Sequence, residues 1–284
     1  MRSNPWKHVR AGDVSRNPYV NPPPPPPPPA PGMPLGTPAG GAARGGVPPA
    51  AGVRTSIVGA YDIMDQTTTY ALGVEALRQS HAGGECPAQP LYVDGGRSIV
   101  RPLTFKENIE ARVNDYERAK PGDERLRLFQ KWLDSCTGIA YKASTTQFKI
   151  IPICPELIGI DKDFKSNFLP VRYGSLAVPE LDSSQGKYNE LLTKDEVLAH
   201  RGWQEAVEGD TALLKTYRDI IFAEKSRSTE LMRFWVKQNT PTDQLRALFV
   251  NNLDYSSNAN GSNSLNSSGS FLRVAHRRAP GGSP

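Results

Sequence analysis

Apolar residues recur at helical spacing in the first half of the chain. The clearest start signal is the pair Thr104 and Glu107, which has the spacing of a capping box. Apolar positions then follow at steps of three and four, at Phe105, Ile109, Val113 and Tyr116. Because Pro121 and Gly122 cannot continue a helix, the pattern predicts a helix from about 105 to 120. Weaker patterns of the same kind predict helices over residues 62–80 and 123–134.

A second group of helical patterns occupies residues 187–253. Thr193 and Glu196 form another capping box, and Asp210 precedes the amphipathic stretch TALLKTYRDIIFAEK. Further apolar clusters predict one helix that begins near Ser226 or Ser228 and another that begins at Thr242. We therefore interpret residues 187–253 as a helical subregion of three or four helices.

Between these helical regions, the pattern of apolar residues is typical of β-strands. Residues 139–178 contain short runs of Ile, Val, Phe and Tyr broken by Pro and Gly, which predict two to four strands. Pro152 has no amide donor, so the strand at 147–153 is expected at a sheet edge or in a bulge. Residues 91–100 predict a β-hairpin with a tight turn at Asp94 and Gly95. The predicted fold class is α+β, a helix-rich body with a small mixed or antiparallel sheet.

Composition divides the chain into three parts. Residues 1–55 contain 15 Pro and 8 Gly, which leaves too few large apolar side chains for a core. Residues 256–284 are mostly Ser, Asn and Gly, whose polar side chains compete for backbone hydrogen bonds. The sequence therefore predicts disordered N- and C-terminal tails around one α+β body at 56–255.

Charge is distributed unevenly among the three parts. The net charge of +5 separates into +5 for residues 1–55, +3 for residues 256–284 and −3 for the body. An acidic body argues against a folded nucleic-acid-binding face, because such faces concentrate cations. A weak, nonspecific site for polyanions on the tails is the remaining possibility, and its cations are Arg44, Arg54, Arg273, Arg277 and Arg278.

The sequence shows neither a signal peptide nor a membrane-spanning segment. The first residues are polar and charged, and the longest apolar stretch, at 150–160, is interrupted by two prolines and a glutamate. Three widely spaced cysteines favour free thiols in a reducing compartment; they are Cys86, Cys136 and Cys154. The sequence therefore predicts a soluble intracellular protein without a membrane partner.

The residues that could act as a nucleophile or as metal ligands have simpler structural explanations. Cys136 follows the predicted helix at 123–134, where the helix dipole and Asp134 disfavour a thiolate. His81 and Cys86 have a spacing that would suit two metal ligands, with Cys136 or Cys154 as a third, but no paired CxxC accompanies them. The recognised catalytic and nucleotide-binding motifs are absent. The sequence assigns no catalytic, cofactor-binding or metal-ligating residue.

The strongest local signal is a run of eight prolines. Such a run adopts a polyproline II rod of roughly 25 Å, which aromatic grooves of SH3, WW or EVH1 modules bind. The run serves either as a stiff spacer or as a docking site for a protein partner; it comprises Pro22, Pro23, Pro24, Pro25, Pro26, Pro27, Pro28 and Pro29.

Three functional classes follow from these observations. The first is a non-enzymatic protein-interaction or assembly protein with a polyproline docking segment. The second is a nucleic-acid-associated protein that uses its basic tails. The third is an enzyme whose site is assembled from scattered residues of the body.

Overall fold

The described part of the chain comprises residues 60–65, 69–119, 124–267 and 269–275 of a computed structural model. Several predictions lie outside these ranges. They are the N-terminal tail at 1–55 with its proline run, Arg44, Arg54, Arg277 and Arg278.

Six helices are present in the described residues. They are α1 Tyr70–Ala82, α2 Phe105–Arg118, α3 Pro155–Ile158, α4 Lys194–Ala199, α5 Arg201–Ala206 and α6 Thr211–Glu224. The predicted capping boxes form at the starts of α2 and α4, and the Asp210 side chain accepts the Leu213 amide at the start of α6. These starts were predictable because each is set by side-chain hydrogen bonds to backbone amides within four residues.

The strands are short and form several small sheets. In chain order they are β1 Ala60–Asp65, β2 Leu91–Asp94, β3 Arg97–Val100, β4 Gly138–Tyr141, β5 Gln147–Ile151, β6 Leu169–Pro170, β7 Glu180–Asp182, β8 Leu192–Thr193, β9 Glu230–Leu231, β10 Phe234–Trp235, β11 Gln244–Ala247, β12 Phe249–Val250, β13 Ala259–Asn260 and β14 Ser270–Ala275. The longest sheet has the order β6-β11-β4-β5-β7, with antiparallel neighbours throughout. A second sheet has the order β10-β13-β12.

The first and last described strands pair with each other. β1 and β14 are antiparallel, with Ala60 opposite Ala275. Phe271, Leu272 and Val274 on β14 are buried. The predicted body boundary at 255 is therefore wrong, because residues 256–275 contain β13 and β14, whose apolar side chains complete the core.

The hydrophobic core joins α2, α5 and α6 to the inner faces of the sheets. Trp203 is fully buried and lies against Phe105, Tyr217 and Phe234. The Phe129 ring stacks on Tyr217 with 5.7 Å between ring centroids. The core thus packs the helices against β10, which also contributes to the candidate site below.

The predicted α+β fold class is confirmed, whereas the predicted helix-rich character of the body is not. Strands β9, β10, β11 and β12 replace the two helices predicted between 226 and 253. Met232 and Asn239 have left-handed backbone conformations, at φ 55° and 51°, and both interrupt a helix. The helix predicted over 123–134 is reduced to one 3-10 turn, Leu128–Gln130.

The predictions for strands 91–100 and 139–178 have mixed outcomes. The hairpin β2–β3 is confirmed, with Gly95 and Gly96 in left-handed conformations at its turn. β5 and β6 lie in 139–178, as predicted, and β4 begins one residue before this range, at Gly138. The expected edge position for residues 147–153 is wrong, because β5 pairs with β4 and β7 and ends at Ile151, before Pro152.

Gly261 lies where two layers meet without room for a side chain. A β-carbon there would lie 2.7 Å from the Tyr141 hydroxyl oxygen and 2.8 Å from Ile139. We therefore expect Gly261→Ala to lower the free energy of unfolding by about 1–3 kcal/mol, measured by urea denaturation. Gly174→Ala is the matched control, because no atom lies within 4 Å of its added methyl group. Equal stability of both variants would contradict this packing argument.

Candidate binding face

The sheet β10-β13-β12 has one buried face and one outward face. Phe234, Ala259 and Val250 are opposite one another in the sheet and are almost fully buried. Their neighbours Trp235, Asn260 and Phe249 form the next row. Because successive residues of a strand point to opposite faces, this second row lies on the outward side. Trp235 and Asn260 are accordingly half-buried, whereas Phe249 is covered by another aromatic ring.

Two further aromatic residues extend the outward row. The Trp132 ring stacks on Phe249 at 6.1 Å between centroids, with 19° between the planes. Tyr255 meets the Trp132 ring edge to face at 5.3 Å and is 58% exposed. We refer to Trp132, Trp235, Phe249, Tyr255 and Asn260 as the aromatic face.

The polar groups of the aromatic face are mainly hydrogen-bond donors. The indole N–H groups of Trp132 and Trp235 make no hydrogen bond within the described ranges, and neither is among the buried unpaired atoms. The Asn260 side-chain oxygen accepts the Ser262 amide and hydroxyl, both at 2.9 Å. That pairing fixes the amide orientation, so the Asn260 Nδ2 group is presented outward as a donor.

One cation accompanies the face. The Arg233 guanidinium lies 5.1 Å from the centre of the Trp235 ring, which is a cation–π distance. The Arg233 amide donates to the Asn258 side-chain oxygen at 2.6 Å. Arg233 forms no ion pair with any described residue, so its charge remains available to a partner.

The loop between β12 and β13 is held by short-range polar contacts. Asn252 caps the 3-10 turn Leu253–Tyr255 by accepting the Tyr255 amide, and Ser256 and Ser257 follow in left-handed conformations. The Asn251 amide also donates to the Asn258 carbonyl at 2.9 Å. These contacts, together with the buried Leu253 side chain in the same turn, set the position of Tyr255.

Arg112 on α2 links the two chain segments that carry Trp132 and Tyr255. Its guanidinium donates to the Lys131 carbonyl at 2.6 Å and to the Asn251 carbonyl at 3.0 Å. It also donates to the hydroxyls of Tyr217 at 2.8 Å and Ser257 at 3.4 Å. The side chain is fully buried, and this burial lowers the pKa of Arg112. Arg112 therefore supports the aromatic face from below.

A cavity of about 210 Å³ lies beside α5. It is lined by Gln185, Gly186, Lys187, Tyr188, Leu192, Glu196, Ala199, His200 and Arg201. His200 accepts the Trp203 amide at Nδ1 and packs against Tyr188 and Phe234. Burial lowers the His200 pKa to about 4, although the Lys187 and His200 carbonyls oppose this shift. His200 Nε2 is buried and makes no hydrogen bond in the described part of the chain.

The thiols predicted to be free are free and buried. Burial raises the pKa of Cys136 to about 12 and raises the pKa of Cys154 still further above its ordinary value. Cys136 follows an irregular segment instead of the predicted helix end. His81 bonds the Cys86 carbonyl through Nδ1 at 2.9 Å. No group of three possible metal ligands occurs within the described ranges.

Arg273 is the predicted polyanion-binding residue that falls within the described ranges. It lies on β14, and its guanidinium pairs with Asp62 and Glu85 at 2.5 Å each. The sequence prediction placed Arg273 in a disordered tail, and this placement is wrong. Two carboxylates already neutralise its charge, so Arg273 contributes little free charge to a polyanion.

Sequence reasoning missed the aromatic face. The available signal was alternation in Phe234–Trp235 and Phe249–Val250, where one residue of each pair points inward and the next outward. That alternation covers only two residues in each strand, which is too short to distinguish from a helical pattern.

The fold is similar to a solved structure from Nanoarchaeota, described as the accommodation of massive sequence variation by the C-type lectin fold. The TM-score is 0.51 at 13% sequence identity, over 76% of this chain and 98% of that chain. At this identity the likeness concerns the fold alone. No protein-family model matches the chain, and the search of curated proteins gives no match. Among the described helices, none is long and apolar enough to cross a membrane.

Proposed function

We propose that the chain is a non-enzymatic protein-interaction protein whose contact surface is the aromatic face. The observation that carries the proposal is the outward row of Trp132, Trp235 and Tyr255 with Arg233 beside it. Trp, Tyr and Arg are the residue types that most often dominate the energy of protein interfaces. Rings of this size supply a large contact area at low cost in side-chain entropy.

The description of the similar Nanoarchaeota structure concerns variation of sequence on one fold. There the C-type lectin fold is said to accommodate massive sequence variation. In this chain, local hydrogen bonds such as those of Asn252 and Asn260 set the backbone of the Ser- and Asn-rich stretch 251–267. We propose that the exposed side chains of this stretch that make no such bond tolerate substitution, because the core contacts of the stretch come from Leu253, Ala259 and Leu265.

Two other proposed contacts lie outside the described ranges. Pro22–Pro29 remains a proposed docking segment for a polyproline-recognising module. The nucleic-acid alternative depends on Arg44, Arg54, Arg277 and Arg278. The aromatic face is preferred because Trp132, Tyr255 and Arg233, which are residue types that dominate interface energies, lie together on it.

A substitution at Tyr255 tests the proposal directly. The side chain is 58% exposed, so Tyr255→Ala removes contact area while leaving the core intact. We expect Tyr255→Ala to weaken the affinity for a protein partner captured with the full chain about tenfold, which corresponds to about 1.4 kcal/mol. The measurement is a calorimetric titration of the purified partner with the full chain and with the variant.

The matched control is Val93→Ala on the β2–β3 hairpin. Val93 is 66% exposed and lies outside the aromatic face, so its loss is expected to leave affinity unchanged. A partner whose affinity falls with Val93→Ala and not with Tyr255→Ala would place the interface on the hairpin and refute the proposed surface.

A further inference from the structure

We infer that the cavity beside α5 binds a small monocarboxylate whose body is a single apolar ring. The cavity lies between the turn 185–188 and the corner at His200, where α4 ends and α5 begins. None of the residues that line it belongs to the aromatic face, so the inference is independent of the proposed interaction function. Two polar groups of the lining, its apolar wall and its volume support this class of ligand.

The cavity lining has one positive charge that no carboxylate of the described residues neutralises. Lys187 pairs with Glu196, at 2.6 Å between Nζ and Oε1. The other carboxylate oxygen of Glu196 accepts the Thr193 amide at 2.8 Å, in the capping box of α4. Arg201 forms no ion pair and no hydrogen bond within the described ranges. Its guanidinium can therefore bind a ligand carboxylate through two parallel hydrogen bonds.

The Tyr188 hydroxyl is a second unoccupied group of the cavity lining. The residue is 6% exposed, yet its hydroxyl makes no hydrogen bond with any described residue. The oxygen is not among the fully buried unpaired atoms, so it retains accessible surface at the cavity that Tyr188 lines. Burial raises the pKa of Tyr188 to about 12, and the charge of Arg201 opposes this shift. The hydroxyl is thus protonated at neutral pH and can donate to a carboxylate bound by Arg201.

Packing fixes the Tyr188 ring before a ligand binds. The ring meets those of His200, Phe148 and Phe234 edge to face, at 4.5, 5.3 and 5.9 Å between centroids. A β-carbon on Gly202 would lie 2.9 Å from Tyr188 Cε1, so a glycine is needed for this close approach of α5 to the ring. Because the hydroxyl is held in place in advance, less entropy is lost when a ligand binds.

The apolar part of the lining and the cavity volume define the body of the ligand. Leu192, Ala199 and the Tyr188 ring form an apolar wall. An apolar cavity of about 150 Å³ is large enough for benzene. The cavity of about 210 Å³ therefore accommodates one such ring together with a carboxylate. A phosphate fits less well, because the apolar wall would leave some of its additional oxygens without a hydrogen-bond donor.

Benzoate is the probe, and ligand-observed NMR with the full chain measures its binding. We expect saturable broadening of the benzoate proton signals, with a Kd on the order of 1 mM for a ligand of this size. Benzamide has the same ring without the charge, and acetate has the charge without the ring. We expect each of them to bind at least about tenfold more weakly than benzoate, since each lacks one of the two recognised features.

Two variants remove the two polar recognition groups separately. Arg201→Gln removes the exposed cation and is expected to weaken benzoate binding about tenfold. Tyr188→Phe removes the hydroxyl and keeps the packed ring, and we expect it to weaken binding about fivefold. Arg97→Gln is the matched control, because it makes the same change of charge at an exposed position of β3 outside the cavity. It is expected to leave benzoate binding unchanged.

Several results would overturn the inference. Benzoate signals that do not saturate at tens of millimolar would refute the site, and benzamide that binds as tightly as benzoate would refute recognition of the charge. Acetate that binds as tightly as benzoate would refute the apolar body of the ligand. Full benzoate affinity in either Arg201→Gln or Tyr188→Phe would show that the carboxylate binds elsewhere on the chain. The test of the proposed function by Tyr255→Ala does not depend on any of these results.

Discussion

Replacing Arg112 with alanine is expected to lower the free energy of unfolding by about 3–5 kcal/mol, through a buried cavity and unpaired acceptors. Arg112 is fully buried, and its guanidinium bonds the carbonyls of Lys131 and Asn251. No carboxylate of the described residues pairs with it, so the carbonyls, two hydroxyls and the Phe129 ring stabilise the charge. Urea denaturation of the full chain measures the change.

Two further variants separate the causes of this loss. Arg112→Met keeps most of the volume and removes a costly buried charge, so we expect a smaller loss of about 1–2 kcal/mol from the unpaired carbonyls. Arg125→Ala removes an exposed arginine that pairs with Glu224, and we expect a change below about 1 kcal/mol. A loss as small for Arg112→Ala as for Arg125→Ala would refute the bridging role of Arg112.

Loss of the Arg112 bridge is also expected to disturb the aromatic face. The Lys131 carbonyl immediately precedes Trp132, and the Asn251 carbonyl lies at the start of the loop that carries Tyr255. Near-ultraviolet circular dichroism reports the packing of these rings. The Arg112→Met variant should show this change while remaining folded.

The helix starts were predictable because their determinants are local. Thr104 and Glu107 exchange hydrogen bonds of 3.1 and 2.7 Å across three residues, and no distant contact is needed. The hairpin at 91–100 was predictable for the same reason, since its turn depends on Gly95 and Gly96.

The segment 226–253 was assigned incorrectly because its outcome depends on distant partners. Phe234 and Trp235 pair with residues 259–260, and Gln244–Ala247 pairs with β4, about 100 residues earlier. Leu231, Met232 and Phe234 fit a helical face and an alternating strand almost equally well. Tertiary pairing decides between these possibilities, and a single sequence does not contain its register.

Composition misled the prediction for the C-terminal segment. Ser and Asn in 256–267 suggested disorder, yet these side chains hold turns through local hydrogen bonds and Ser257 is fully buried. The aromatic face was missed for a related reason. Its members come from residues 132, 235, 249, 255 and 260, which are brought together by β-sheet pairing and a ring stack.

Asp134 follows Trp132 of the aromatic face by two residues, and its surroundings disfavour a charged carboxylate. A methyl group added to Gly269 would overlap its carboxylate, which shows how closely the backbone approaches. The Asp134 backbone is fixed by bonds to Ser270 and Asn108. Burial raises the pKa of Asp134 to about 7, from an ordinary value of 3.8. The folded protein therefore retains a proton that the unfolded chain has already lost.

This difference predicts a stability loss between pH 4 and pH 7. Below pH 4 the carboxyl group is protonated in both states and contributes nothing. As the pH rises toward 7, the unfolded state ionises first, so the free energy of unfolding falls by at most about 4 kcal/mol. Since Asp134 retains partial contact with solvent, we expect about 2 kcal/mol. His200 acts in the opposite direction, because its lowered pKa of about 4 reduces stability as the pH falls below 6.5.

Asp134→Asn isolates the carboxyl contribution from that of His200. The amide keeps the shape of the side chain and does not ionise, so the His200 dependence is common to both proteins and cancels in their difference. We expect equal stability at pH 3.5 and a variant more stable by about 2 kcal/mol at pH 8, from urea denaturation at a series of pH values. A difference that is constant with pH would show that the Asp134 carboxyl group ionises alike in the folded and unfolded chains. A variant that is less stable at pH 8 would show that the charged form is favoured by the fold.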